Sequence, residues 1–208
     1  MPSQKLKYTG LIAFSLFVIA FVIDLITVIG GFQEASALEG ASKTLSLYIL
    51  FFELGLSLTL IVNSVVGIVK LMKSGDGLAA LRRASDGIGA LGLFVVFIQG
   101  FALYFASEYA KANHLSFEAP ASTIAMIVLM VIAIIFSILG SIKKLAIATS
   151  KKCIFLIIGS ILSDIVMIIT IAQAGNAPIV IVEYILLIVA LLAFTCFGFF
   201  GFEEYRNQ

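Results

Sequence analysis

The sequence predicts an all-α, polytopic membrane protein: a bundle of six transmembrane helices with both termini in the cytoplasm. Three observations predict it. Hydrophobic residues make up 62% of the chain against 12% charged residues, apolar runs of membrane-spanning length recur along it, and Lys and Arg gather at alternate ends of those runs. A water-soluble domain of this composition would expose large apolar patches. Because no polar stretch is long enough for a second core, residues 1–208 form a single transmembrane domain.

The six elements follow from the length that a helix needs to cross the hydrocarbon, about 20 apolar residues. Runs of that length extend roughly over Tyr8 to Gly31, Leu45 to Met72, Ile88 to Tyr109, Ala121 to Ile142, Cys153 to Ala174 and Pro178 to Phe202. The first run contains Asp24 and is too long for the apolar region of a signal peptide, so we expect an uncleaved helix. Gly175 and Asn176 predict a tight turn before the sixth helix.

The longest connection on the cytoplasmic side is expected over Lys73 to Gly87. Its charges favour a solvated basic loop, and a short interfacial helix is the alternative. The connection contributes to the overall charge bias, which sets orientation because Lys and Arg near helix ends stay in the cytoplasm. One side carries Lys5, Lys7, Lys70, Lys73, Arg82, Arg83, Lys143, Lys144, Lys151, Lys152 and Arg206, and the other carries Lys43 and Lys111. The bias predicts an integral protein of the plasma membrane with both termini inside.

Small residues near the cytoplasmic ends of the even-numbered helices indicate an internal repeat of three hairpins. In each of these helices a hydroxyl residue precedes a glycine by three positions: Ser64 and Gly67, Ser137 and Gly140, Thr195 and Gly198. Small residues let membrane helices approach closely. Because they are common in such helices, a chance match is the alternative to a repeat.

Four acidic residues lie well inside the predicted spans: Asp24, Glu53, Asp164 and Glu183. The one basic residue within the span limits, Lys70, stands at an inner helix end, where its ammonium group can reach the interface. Exposing four carboxylates to lipid would cost about 10 to 14 kcal/mol on insertion scales. We therefore expect all four to face the interior of the bundle or a wet cavity, in the outer half of the bilayer or near its midplane.

Further polar residues accompany the acids. Ser57 follows Glu53 by one turn, Ser160 precedes Asp164 by one turn, and Gln99 lies at a similar depth. We expect Gln99, Asp24 and Asp164 to line one interior surface, which requires the odd-numbered helices to be neighbours. The fourth helix has no polar side chain from residue 124 to 136 and is expected to face lipid.

Carboxyl groups inside a membrane are typical of functional sites. They predict a small transport protein, or the membrane-embedded substrate-binding subunit of a transporter, with Asp24, Glu53, Asp164, Glu183 and Gln99 binding a proton, a cation or a cationic solute. The alternative is a non-transporting structural or assembly subunit, whose acids pack against a partner membrane subunit or a second copy of the chain. In both interpretations the lipid bilayer is the surrounding medium.

Other function classes lack their motifs. Paired histidines such as HExxH are missing, and the one histidine, His114, is predicted in an outer loop, so we expect no enzyme and no cofactor. A net charge of +1 without a basic face disfavours a nucleic-acid partner. Metal binding stays open, with His114 beside Glu108 or Glu118 as the minor candidate.

Overall fold

The computed structural model describes residues 3–143, 147–173 and 178–206, and within these ranges all regular secondary structure is helical. The six helices are α1 (Gln4–Ser36), α2 (Gly40–Val69), α3 (Gly77–Ala112), α4 (Ala121–Ser141), α5 (Thr149–Gln173) and α6 (Pro178–Tyr205). All six are long and apolar enough to cross a membrane, which confirms the prediction of an all-α membrane protein. The turn predicted at Gly175 and Asn176 and the basic residue Lys144 lie outside the described residues.

The helices form a ring in chain order. Each helix packs against the next, and α6 packs against α1 to close the ring. The first half of α3 also touches α1, α5 and α6, so it occupies the centre of the bundle. In the described part of the chain α1 and α5 make no contact with each other. The prediction that all odd-numbered helices are direct neighbours is therefore wrong for this pair, because α6 lies between them.

Aromatic packing joins α1 to α6. Phe14 and Phe17 of α1 are fully buried, and each meets the ring of Phe194 edge to face at centroid distances of 5.0 and 5.5 Å. Edge-to-face pairs of this kind add about 0.5 to 1.5 kcal/mol to the burial of their rings. The closing contact of the ring is thus a dense apolar interface.

Helix α4 has an exposed face, as the prediction that it faces lipid requires, and also a buried face that the sequence did not predict. Met126, Met130 and Ala133 are fully buried against the neighbouring helices, whereas Ile124 and Ile135 are about half exposed. Exposed isoleucines are expected on a surface that contacts acyl chains instead of water. Helix α4 therefore lies at the periphery of the bundle.

Both ends of the chain meet at one end of the bundle. The backbone N–H of Ser3 donates a hydrogen bond to the Glu204 carboxylate at 2.8 Å, which an even number of spans allows. We call this the basic end, because those Lys and Arg residues assigned above to the cytoplasm that the structure describes lie at or near the helix ends gathered there. The assignment of the basic end to the cytoplasm remains a prediction.

The predicted loop over residues 73–87 is wrong. A π-helical segment, Lys70–Ser74, continues α2, and α3 already begins at Gly77. Only Gly75, in the left-handed region at φ 58°, and Asp76 separate the two. The Asp76 carboxylate caps α3 by accepting a hydrogen bond from the Ala79 N–H at 2.9 Å.

The buried side chains explain why this segment is helical. Ala80, Leu81, Ala84 and Ile88 recur at helical spacing and are almost completely buried. The adjacent charges of Arg82 and Arg83 concealed this pattern in the sequence. The first two turns of α3 therefore belong to the core of the bundle and not to a loop.

The three glycines of the predicted repeat lie at close helix contacts. A Cβ atom at Gly67 would stand 2.5 Å from the Phe14 ring, one at Gly140 would stand 2.7 Å from Ser85 Oγ, and one at Gly198 would stand 2.8 Å from Ile157. Each glycine thus meets the helix that precedes its own. The three-hairpin repeat stays a prediction, to which these contacts add a common packing role.

Candidate functional site

Three of the four predicted acids converge. Asp24 of α1, Glu53 of α2 and Glu183 of α6 lie within electrostatic range of one another. Asp24 and Glu183 are 5% and 8% exposed, and Glu53 is half-buried. They meet because α1 stands between α2 and α6 in the ring. We call Asp24, Glu53 and Glu183 the carboxyl cluster.

No basic side chain compensates the carboxyl cluster within the described residues. The two ion pairs found there, Arg83 with Asp86 and Lys111 with Glu108, lie elsewhere. Like charges within electrostatic range of one another repel more strongly in a medium of low dielectric than in water. A proton or a cation that enters the cluster relieves this repulsion.

Ser57 connects two members of the cluster. Its hydroxyl lies within hydrogen-bonding distance of the Asp24 carboxyl, and it is 2.9 Å from the backbone carbonyl oxygen of Glu53. A hydroxyl has one hydrogen to donate and two lone pairs that accept. Ser57 can therefore donate to an ionised Asp24, or accept from a protonated Asp24 while it donates to the Glu53 carbonyl. The contact suits either protonation state of Asp24.

A small cavity with a mainly apolar lining adjoins the cluster. It has a volume of about 40 Å³ and lies between α1, α3, α5 and α6, with room for one to a few water molecules. Its polar lining consists of Gln99, Thr170, Glu183 and Tyr184. Glu183 belongs both to this cavity and to the carboxyl cluster. The structure thus brings Gln99 next to one acid, although Asp24 and Asp164 do not line the cavity.

Asp164 stands apart from the cluster. It is 5% exposed, and within the described ranges neither of its carboxyl oxygens has a hydrogen-bond partner. The Ser160 hydroxyl, one turn earlier, donates to the backbone carbonyl of Leu156 at 2.9 Å and not to Asp164. Asp164 follows Ile157 by two turns and shares its face of α5. Since Ile157 packs against Gly198, Asp164 faces α6 from the side opposite to α1.

The arrangement of donors is not that of a protein metal centre. Among the described residues, no three or more His, Cys, Asp and Glu side chains are grouped closely enough to hold a metal ion. At the other candidate, near His114, the Glu108 carboxylate accepts a hydrogen bond from Lys111 at 2.7 Å. Within the described residues the carboxyl cluster therefore does not form a set of metal ligands.

Sequence reasoning missed part of this site. It placed Ser57 on the face of Glu53, but the contact with Asp24 depends on the packing of α1 against α2. Thr170 and Tyr184 were not identified at all, although both line the cavity. A polar residue in an apolar span was the available signal for Thr170, as it was for Gln99. The hydroxyl of Thr170 can bond its own helix, here Val166 at 2.9 Å, so that signal alone does not indicate a site.

Comparison with known proteins gives no match. No family model matches the chain. No curated protein and no solved structure is significantly similar to it.

Proposed function

We propose that this protein is a small membrane transport protein, or the membrane-embedded substrate-binding subunit of a transporter, in which the carboxyl cluster binds a proton or a cationic solute. One observation carries the proposal: three acids from three helices lie within electrostatic range of one another in the membrane domain, and within the described residues none of them forms an ion pair. Buried acids are costly in a membrane. A positive charge bound between the three acids would offset this cost, which explains why they lie together on separate helices.

The surroundings of the cluster support proton exchange. Glu53 is the most exposed of the three acids, and Glu183 lines a small cavity that Gln99, Thr170 and Tyr184 also line. A proton could pass from Glu53 to Asp24 and Glu183 through Ser57 and ordered water, because hydroxyls and water both donate and accept. Asp164 is a separate candidate site on α5, outside this path.

The rival function is a structural or assembly subunit. In that case the acids are permanently neutral and act as interhelical hydrogen-bonding groups, each worth only about 0.6 to 2 kcal/mol. The observation in its favour is the Ser57 contact with Asp24, which joins α1 to α2 in the manner of such groups. The two functions differ in whether the acids titrate.

Proton uptake by the purified protein tests the proposal. The double variant Asp24→Asn and Glu53→Gln keeps size and hydrogen bonding, and we expect it to fold normally but to take up fewer protons than the parent between roughly pH 5 and 9. Thermal unfolding in the same detergent serves as the folding control. If the double variant takes up protons as the parent does, the transport function is refuted and the structural subunit is favoured.

A double-mutant cycle tests whether the cluster acts as a unit. Neighbouring titrating groups share their protons, so the changes in proton uptake caused by Asp24→Asn and Glu183→Gln should not add when the two are combined. The matched cycle combines Asp164→Asn with Glu183→Gln, and its effects should add because Asp164 lies apart. Additive effects in both cycles would contradict a shared site.

A further inference from the structure

A charged basin lies at the basic end of the bundle, between the end of α2, the start of α3 and the end of α4. It has a volume of about 330 Å³. Its charged lining consists of Lys70, Asp76, Arg82, Arg83, Asp86 and Lys143. With four basic and two acidic side chains, the basin carries a net charge of +2. None of the three residues of the carboxyl cluster lines this basin.

Both acidic residues of the basin already have partners. The Asp76 carboxylate accepts the capping hydrogen bond from the Ala79 N–H. The Asp86 carboxylate lies 3.9 Å from Arg83 Nη1, at the distance of an ion pair. Each carboxylate in the basin is thus already paired, Asp76 with a backbone N–H and Asp86 with Arg83.

Three of the four cations lack an acidic partner. Within residues 3–143, 147–173 and 178–206, Lys70, Arg82 and Lys143 form no ion pair. The Nε of Arg82 is moreover buried and has no hydrogen-bond partner in these ranges. A buried guanidinium N–H without an acceptor is costly. An anion in the basin would supply the missing acceptor.

A groove between α2 and α3 continues from the basin into the membrane domain. It has a volume of about 610 Å³, and its apolar walls include Leu58, Val62 and Ala90. Arg83 and Asp86 line both the groove and the basin. Val62 is 61% exposed, so the groove opens on the surface that faces lipid. One molecule with a charged end and an apolar tail could fill both spaces.

We propose that the basin and the groove together bind an anionic phospholipid, with its phosphate-bearing headgroup in the basin and an acyl chain in the groove. Phosphate is the natural partner of Arg and of converging Lys residues. Basic pockets between transmembrane helices are known to take up anionic headgroups. The apolar groove favours a lipid over a free phosphate, because a soluble anion would leave the groove unused. The Asp86 carboxylate, at the junction, directs the phosphate toward Lys70, Arg82 and Lys143.

Lipid binding measured by native mass spectrometry tests the headgroup site. The purified protein is titrated with phosphatidylglycerol or with zwitterionic phosphatidylcholine. We expect Lys70→Gln combined with Lys143→Gln to weaken phosphatidylglycerol binding about 10- to 30-fold and to remove the preference over phosphatidylcholine. The matched control, Lys73→Gln with Lys151→Gln, removes the same charge at the same end from two exposed residues outside the basin and should bind as the parent does. Equal losses in both pairs, or none in the first, would overturn the proposal.

A second comparison identifies the occupant. Val62→Trp narrows the groove from its lipid-facing side, and we expect it to weaken phosphatidylglycerol binding while the protein's unfolding temperature stays at the parent value. Inorganic phosphate, added as a soluble competitor, should displace the lipid only at concentrations far above that of the lipid. If phosphate competes at equal concentration and Val62→Trp binds lipid normally, the basin is a site for a free anion and the lipid proposal fails.

Discussion

At the scale of single residues, the environment of a polar group decides what it contributes. Ser57 and Ser64 are both buried on α2, and each hydroxyl bonds a backbone carbonyl one turn earlier, at 2.9 and 2.8 Å. Only Ser57 also reaches another helix, at the Asp24 carboxyl. Asp164 shows the opposite situation, since it is buried on α5 without a hydrogen-bond partner in the described residues. Buried polar side chains thus contribute differently to the free energy of unfolding, according to the hydrogen-bond partners that lie opposite them.

This difference yields a prediction for the two serines. Ser57→Ala should lower the free energy of unfolding by about 0.6 to 2 kcal/mol, because it removes an interhelical hydrogen bond. Ser64→Ala, the matched control, should change it by less than about 0.5 kcal/mol, since a bond to the residue's own helix adds little. Unfolding in mixed micelles measures both values. Equal values would show that the contact between Ser57 and Asp24 does not stabilise the protein.

At the scale of helices, small residues set how closely neighbours pack. Gly67 of α2 leaves room for the Phe14 ring of α1, which is fully buried and held against Phe194 of α6. Gly140 and Gly198 occupy corresponding places in α4 and α6. Association of membrane helices depends on such packing because lipid tails are as apolar as the side chains they would replace. Close glycine contacts therefore determine which faces of the helices meet.

A glycine pair on α2 makes this testable. Gly67→Ala places a methyl group in the Phe14 ring, and we expect it to destabilise the protein by about 1 to 3 kcal/mol. Gly55→Ala adds the same methyl group where nothing lies within 4 Å, and it should stabilise the helix by about 0.5 to 1 kcal/mol. Thermal unfolding of both variants in one detergent is the measurement. A Gly67→Ala variant as stable as the parent would show that α1 and α2 pack less closely than described.

At the scale of the whole molecule, the closed ring places both ends of the chain together and separates two kinds of site. The hydrogen bond from Ser3 to Glu204 joins the first and last helices at the basic end. The basin lies at the same end, whereas the carboxyl cluster is displaced along the helices toward the other end. An anionic lipid bound at the basic end and a proton or cation bound in the cluster would occupy separate regions of one bundle.

Cysteine labelling tests the orientation of this bundle. In a background with Cys153 and Cys196 replaced by alanine, a cysteine at Asn113 should react with a membrane-impermeant maleimide added outside the cell. A cysteine at Asp76 should react only after the membrane is permeabilised, because the positive-inside rule assigns the basic end to the cytoplasm. The reverse pattern would invert the predicted orientation, and labelling of both sites from outside would contradict the spans themselves.

The sequence by itself determined the six membrane helices, the apolar surface of α4 and the gathering of basic residues at one end. These features are local, because the transfer of each side chain from water to lipid decides them one helix at a time. The segment over residues 73–87 is the exception, since adjacent arginines concealed a buried helical face. The sequence also identified the four acids within the spans and Gln99, as polar residues at positions where lipid exposure would be costly.

Only the tertiary structure decided which of these residues meet. Asp24, Glu53 and Glu183 lie within electrostatic range of one another because α1 lies between α2 and α6. Asp164 lies apart from them, although it too has a serine one turn away on its own helix. Two further features were invisible before α2, α3 and α4 were packed together: the Arg82 Nε, which has no hydrogen-bond partner within the described residues, and the groove beside α3. The physical reason is that apolar helices in lipid have no hydrophobic preference for one neighbour over another. Shape, small residues and a few hydrogen bonds make that choice, and they act between residues far apart in the chain.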